Sequence, residues 1–196
     1  MGTMTLLEDR SRLSRARVIG RPTPTRPGRC RRTWVSGRTL HLVDIENLCG
    51  DPRPERPRDW LGWYMLASQW RRPDITRIAA NGALAKRLAF EIEEMPHSIR
   101  SANGLDGADR RLVQNLDGAF IAERFDRLSI GSGDSYFCDL AVDAVRSGVA
   151  VEVISRRDSL SGALAAVVDD VYPLPDSWPA VGAIRALRAR RVAALT

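Results

Sequence analysis

Carboxylates stand at three places where an apolar run gives way to a polar turn. Val43-Asp44-Ile45-Glu46-Asn47 follows one apolar run, Asn103-Gly104-Leu105-Asp106-Gly107-Ala108-Asp109 leads into a long helical segment, and Gly131-Ser132-Gly133-Asp134-Ser135 follows another apolar run. Acids gathered from distant parts of a chain repel one another unless a cation lies between them. Hard divalent cations such as Mg²⁺ take oxygen ligands and are satisfied by one or two carboxylates plus waters. The chemistry these residues suggest is therefore that of a bound divalent cation. Each acid also has an ordinary role: Asp and Asn form turns, and Asp109 and Asp134 suit a helix N-cap or first turn. Three acids in equivalent positions favour the metal over three unrelated turns.

The elements that must position them are short apolar runs alternating with helical ones. Residues 39–43 (TLHLV), 75–80, 97–101, 128–130 and 149–154 read as strands, and 171–174 as a further candidate. Between them, 60–70, 83–93, 108–124 and 160–168 read as helices. The helix after Asp134 places Phe137, Leu140, Ala141, Ala144 and Val145 at i, i+3, i+4, i+7 and i+8, a core-facing stripe. Strands alternating with helices imply right-handed βαβ units. The expected fold is a single α/β domain, a doubly wound parallel sheet of about five strands flanked by helices. In such sheets ligands bind outside the carboxyl ends of the strands, where strand order reverses.

The same residues carry a family resemblance. Asp44-Ile45-Glu46-Asn47 resembles the opening D-x-x-N motif of NYN domains, members of the PIN-like nuclease superfamily. Gly107-Ala108-Asp109-Arg110 resembles their central glycine-any-aspartate segment, and LSIGSGDSYF over residues 128–137 resembles their signature strand followed by S-G-D-S-D-F. The likeness runs from about residue 40 to 174. It implies a Mg²⁺- or Mn²⁺-dependent ribonuclease that hydrolyses phosphodiester bonds, with Asp44, Asp109 and Asp134 as metal ligands, directly or through water. It makes Asn47 the residue that orients Asp44 or a bound water, with Ser132 and Ser135 as further members of the site. This chain departs from the pattern at Tyr136, where the family has a second aspartate. Asp139, one helical turn beyond Asp134, could supply that carboxylate, as could Asp106 from the loop before Asp109. Arg110 and Arg111 are candidates to hold a flanking phosphate through bidentate hydrogen bonds. A domain that binds RNA but cuts poorly or not at all is the alternative, favoured by Tyr136.

Charge is divided unevenly along the 196 residues, whose formal net charge is +6. Residues 1–36 hold nine arginines against Glu8 and Asp9, a net +7, and read as a basic, disordered arm rich in proline. Residues 177–196 hold four arginines and no acid, a net +4, on an expected terminal helix, which leaves −5 for the domain over 37–176. Basic ends suit a polyanion such as single-stranded RNA. Cys30, Cys49 and Cys138 contain no CxxC pair, which argues against a disulfide framework or a cysteine zinc site and suits the cytoplasm. No run approaches the roughly 20 apolar residues of a membrane span, and a homo-oligomer is compatible with the sequence. A haloacid-dehalogenase-type phosphatase fits Asp44-Ile45-Glu46 only loosely, because Lys86, the one lysine, has no suitable context. A dinucleotide site lacks the G-x-G-x-x-G run after the first strand. His41 and His97 receive no catalytic role. The stripe at 60, 63, 67 and 70, with three tryptophans, is expected to pack on the sheet.

Overall fold

Six short β-strands form one all-parallel sheet in the order β3-β2-β1-β4-β5-β6, with the inner strands β1, β4 and β5 buried almost throughout. The structure is a computed structural model that describes residues 37–51, 54–92, 97–101 and 107–174. In chain order the elements are β1 (Thr39–Asp44), α1 (Ile45–Cys49), α2 (Pro57–Ser68), β2 (Ile75–Ala80), α3 (Gly82–Glu91), β3 (His97–Ser101), α4 (Gly107–Val113), α5 (Gly118–Arg124), β4 (Arg127–Gly131), a 3₁₀ turn (Ser135–Phe137), α6 (Cys138–Arg146), β5 (Ala150–Arg156), α7 (Gly162–Val167) and β6 (Asp170–Leu174). The α/β parallel sheet is as expected, with six strands where about five were predicted. The basic arm over 1–36, the terminal helix over 177–196 and Asp106 lie outside the described residues.

Strand order runs outward in both directions from the β1–β4 pair, so the chain reverses between these two strands. Val43 of β1 stands level with Gly131 of β4, and Asp44 with Ala79 of β2. The carboxyl ends of β1 and β4 therefore open on one crevice, the place where such sheets hold ligands.

Alternation along each strand sends successive side chains to opposite faces. On one face Leu40, Leu42, Leu128, Ile130, Val151 and Val153 are buried against Leu112, Ile121, Phe137, Ala141 and Leu164 of α4 to α7 and the 3₁₀ turn. On the other, Val43, Ile78, Ala80 and Ile154 meet Ile45, Leu48, Leu61, Tyr64 and Leu88 of α1, α2 and α3. Trp63 and Ala67 of the aromatic stripe are buried here, with Trp60 and Trp70 partly buried at its ends. Among the described residues, no helix is long and apolar enough to cross a membrane.

The helix expected over 108–124 is two helices. Asn115 takes a left-handed φ of 59°, and Asp117 is extended and caps α5 by accepting Phe120 N–H through Oδ1 at 2.7 Å. The carbonyl end of α4 is closed by Arg77, whose guanidinium donates to the carbonyls of Leu112 (3.2 Å) and Gln114 (3.0 Å). Gly118 N–H donates to Asp143 Oδ2 of α6 at 2.5 Å, and a Cβ at Gly118 would collide with the Asp143 backbone. The break thus lets α5 pack close to α6. Its signals, Asn115 for left-handed backbone and Asp117-Gly118 for a fresh start, are outweighed in the sequence by the apolar periodicity of Leu112, Val113, Leu116 and Phe120.

A chain of polar groups is buried on the α2 side of the sheet. The Tyr64 hydroxyl donates toward Ser129, 2.9 Å from its Oγ and 3.1 Å from its carbonyl, and lies 2.9 Å from His41 Nδ1. Ser129 Oγ donates to Glu152 Oε1 at 2.7 Å, Glu152 pairs with Arg127 at 3.5 Å, and His41 Nε2 faces Asp74 at 3.4 Å. Burial pushes the His41 imidazole below its ordinary pKa, against the opposite pull of Asp74. His41 is thus a structural member of the sheet. The Tyr64 ring also fills the space beside Gly131, where a Cβ would come within 2.8 Å of it, so the ladder reaches the base of the crevice.

Because Tyr64 serves His41 and Ser129 together, removing its hydroxyl strands buried polar atoms on two strands. Tyr64→Phe should lower the unfolding free energy by about 2 kcal/mol, measured by urea denaturation. A loss under about 0.5 kcal/mol would show that the ladder is not held through this hydroxyl.

Candidate functional site

Asp44 ends β1 and begins a cap. Its Oδ1 accepts Glu46 N–H at 3.1 Å and Asn47 N–H at 3.2 Å, starting the short helix α1. The carboxyl is 7% exposed. Its Oδ2 has no hydrogen-bond partner among the described residues. Asp109 lies in the first turn of α4 and is 8% exposed. Since α4 follows β3 and packs on β1, β2 and β3, its first turn lies at the carboxyl edge of the sheet, on the Asp44 side. Burial, and then the charge of Asp109, push the Asp44 carboxyl up to about 7, against the two backbone hydrogen bonds it accepts. The fold therefore brings together two of the acids read from the sequence.

Across the crevice, the loop after β4 is fixed from both sides. Gly133 N–H donates to Asn47 Oδ1 at 2.9 Å, and the Gly133 carbonyl accepts Ser161 N–H at 2.8 Å. A Cβ at Gly133 would strike the carbonyl of Ser159, so glycine is needed for the β5–α7 loop to approach. Ser132 is buried, and its Oγ accepts Asp134 N–H at 3.2 Å. The Asn47 side-chain carbonyl ties the first strand end to the fourth. The reason is topological, because the two strand ends are neighbours only after the reversal.

Asp134 is half-buried and caps the 3₁₀ turn, its Oδ1 accepting Tyr136 N–H at 2.8 Å and facing Ser135 Oγ at 3.4 Å. Its Oδ2, like that of Asp44, has no hydrogen-bond partner among the described residues. Both ordinary and chemical roles are thus open to one carboxylate, with one oxygen for the cap and one for a ligand. Asp139 and Ser135 are exposed and line a cleft with Tyr136. Arg110 and Arg111 are exposed on α4, with Arg111 reaching Gln114 at 3.3 Å. Glu46, which was given no role from the sequence, is turned toward β2, where its Oε1 accepts Asn81 N–H. Burial, and then the charge of Asp44, raise the Cys49 thiol to about 12, so it stays protonated.

Among the described residues, no three His, Cys, Asp or Glu side chains are grouped as a metal-binding set. The Asp44 and Asp109 carboxylates are both buried and interact through their charge, and such a pair suits Mg²⁺ or Mn²⁺, since these ions take a small number of carboxylates and keep several waters. Two anions buried side by side are also the arrangement that a divalent cation relieves.

No family model matches the chain, and no curated protein matches it. A crystal structure of a protein of unknown function from Vibrio parahaemolyticus is similar, with a TM-score of 0.51 and 18% identity over 71% of this chain and 93% of that one. At that identity the likeness bears on the fold, and it agrees with the α/β parallel sheet.

An acid whose folded pKa lies near 7 rather than 3.8 holds a proton in the fold that the unfolded chain has given up. This contribution to stability is fully present below the unfolded value and is lost as pH rises through about 7. In EDTA, raising the pH from 5 to 8 should therefore cost on the order of 2 kcal/mol more in the native chain than in Asp44→Asn, which keeps the capping oxygen. Parallel pH profiles for the two proteins in chemical denaturation would contradict a buried, raised Asp44.

Proposed function

We propose that the chain is a Mg²⁺- or Mn²⁺-dependent ribonuclease acting on single-stranded RNA in the cytoplasm. The observation that carries the reading is the buried Asp44–Asp109 pair at the point where strand order reverses. Asp134 stands on the adjoining strand end, on the loop that Asn47 holds through Gly133. The D-x-x-N, G-x-D and S-G-D-S segments that resemble NYN domains fall at this edge.

In this reading Asp44 and Asp109 hold the cation, and Asp134 completes its surroundings from β4, directly or through water. The chemistry supplied by Mg²⁺ or Mn²⁺ when bound is neutralisation of charge on the phosphoryl oxygens and acidification of water. The chain's own residues fix the geometry. Asp44 and Asp134 each have one oxygen set by backbone N–H groups, which orients the other. Asn47 fixes the distance between the two strand ends. Arg110 and Arg111, exposed next to Asp109 on α4, are placed to hold a neighbouring phosphate. The basic segments over 1–36 and 177–196 add attraction for a polyanion.

A non-catalytic RNA-binding domain is the second reading, favoured by Tyr136, which stands where the resembling family has an aspartate. The two are separated by incubating end-labelled single-stranded RNA with purified protein in Mg²⁺, Mn²⁺ or EDTA. Cleavage should require the metal and fall on the order of 100-fold or more in Asp44→Asn and in Asp134→Asn. Salt-sensitive RNA binding without cleavage in any metal would favour the second reading.

A further inference from the structure

Beside the proposed centre, the 3₁₀ turn and α6 present a continuous stripe to a cleft of about 660 Å³, a size that suits a nucleotide-sized group. Tyr136, Asp139, Leu140 and Asp143 recur at i, i+3, i+4 and i+7, so one helical face forms the wall. Val113 and Leu116, at the break between α4 and α5, form the opposite apolar side. Among the described residues, Tyr136 is one of two exposed large hydrophobic residues, at 36% exposure, and its ring is held edge-on against the buried Phe137 at 6.0 Å and 81°. Its hydroxyl makes no hydrogen bond among the described residues, so hydrogen bonding does not account for its place. An exposed ring held at the mouth of a partly apolar cleft is a stacking surface for a flat heteroaromatic group.

The charge of the cleft decides which part of a nucleic acid enters. Asp139 and Asp143 are both exposed, and among the described residues no basic side chain lines the cleft. A phosphate is repelled there, whereas a ring edge carrying N–H donors is attracted. Asp143 Oδ2 is already engaged by Gly118 N–H. Asp139 makes no hydrogen bond or ion pair among the described residues, and both its oxygens can accept. Guanine is the base that offers two adjacent donors, N1–H and the 2-amino group, matching a carboxylate in two parallel hydrogen bonds. Adenine, cytosine and uracil each offer a single donor position on the corresponding edge.

We infer that the Tyr136–Asp139 cleft is a guanine-base subsite, with Tyr136 stacking on the base and Asp139 reading its Watson–Crick edge. The inference rests on the ribonuclease reading for its substrate and gives Asp139 a base in place of the cation expected from the sequence. It also gives Tyr136 a role at the position where the resembling family has an aspartate.

The test is fluorescence anisotropy of the full chain with two labelled single-stranded RNA decamers in EDTA, one all uridine and one with guanosine at alternate positions. The guanosine strand should bind about 10-fold more tightly. Tyr136→Ala should weaken it about 10-fold, Tyr136→Trp should retain it, and Asp139→Asn should bring the two strands within about 2-fold of each other. Equal affinities in the native chain, or an unchanged preference in both Tyr136→Ala and Asp139→Asn, would overturn the subsite. Adding Mn²⁺ to the same samples separates the two readings. Cleavage with no base preference keeps the nuclease and overturns the subsite, whereas guanosine-selective binding without cleavage keeps the subsite and overturns the nuclease.

Discussion

Burying Asp44 and Asp109 close enough to feel each other's charge works against folding, since each carboxylate loses water and repels the other. The surrounding structure is arranged to hold them there. β1 delivers Asp44 to the end of a central strand, α1 fixes one of its oxygens with two backbone N–H groups, and the first turn of α4 brings Asp109 over the same edge. A proton on Asp44 relieves that repulsion, and a divalent cation bound between the two would do the same. A site that accepts either is a site whose occupancy couples to pH, because the cation must displace the proton.

What keeps the crevice in shape is a set of contacts that cross the strand-order reversal. The Asn47–Gly133 hydrogen bond joins β1 to β4 above the sheet, and Tyr64 joins the same strands through His41 and Ser129 within it. Gly131 and Gly133 are the close approaches that allow this, one to the Tyr64 ring and one to the Ser159 carbonyl. The loop carrying Asp134 is therefore built on a rigid base, which a site must have if carboxylates from separate segments are to be presented together. Asp134 itself is less buried than the pair.

Much of this was legible in the residues. Short runs rich in apolar residues, separated by amphipathic stretches, sufficed for the parallel sheet, because parallel strands buried on both faces are mostly apolar. The positions of Asp44, Asp109 and Asp134 at strand ends and helix starts followed from the same pattern. The break in the 108–124 helix did not, because the apolar period continues across Asn115 and Asp117 while the backbone turns. The partner of Asn47 was hidden for a different reason: it lies 86 residues away, and only the pairing of β1 with β4 makes Gly133 its neighbour. The His41–Tyr64–Ser129–Glu152 ladder was hidden likewise, since single polar residues inside strands declare no partners until register is fixed.

The central claim is that the Asp44–Asp109 pair is a divalent-cation site, and calorimetric titration of Mn²⁺ into the full chain tests it most directly. One Mn²⁺ should bind per chain in the native protein, and that binding should be lost in Asp44→Asn and Asp109→Asn variants that still unfold cooperatively. Absence of binding in the native chain, or binding unchanged in both variants, would contradict it.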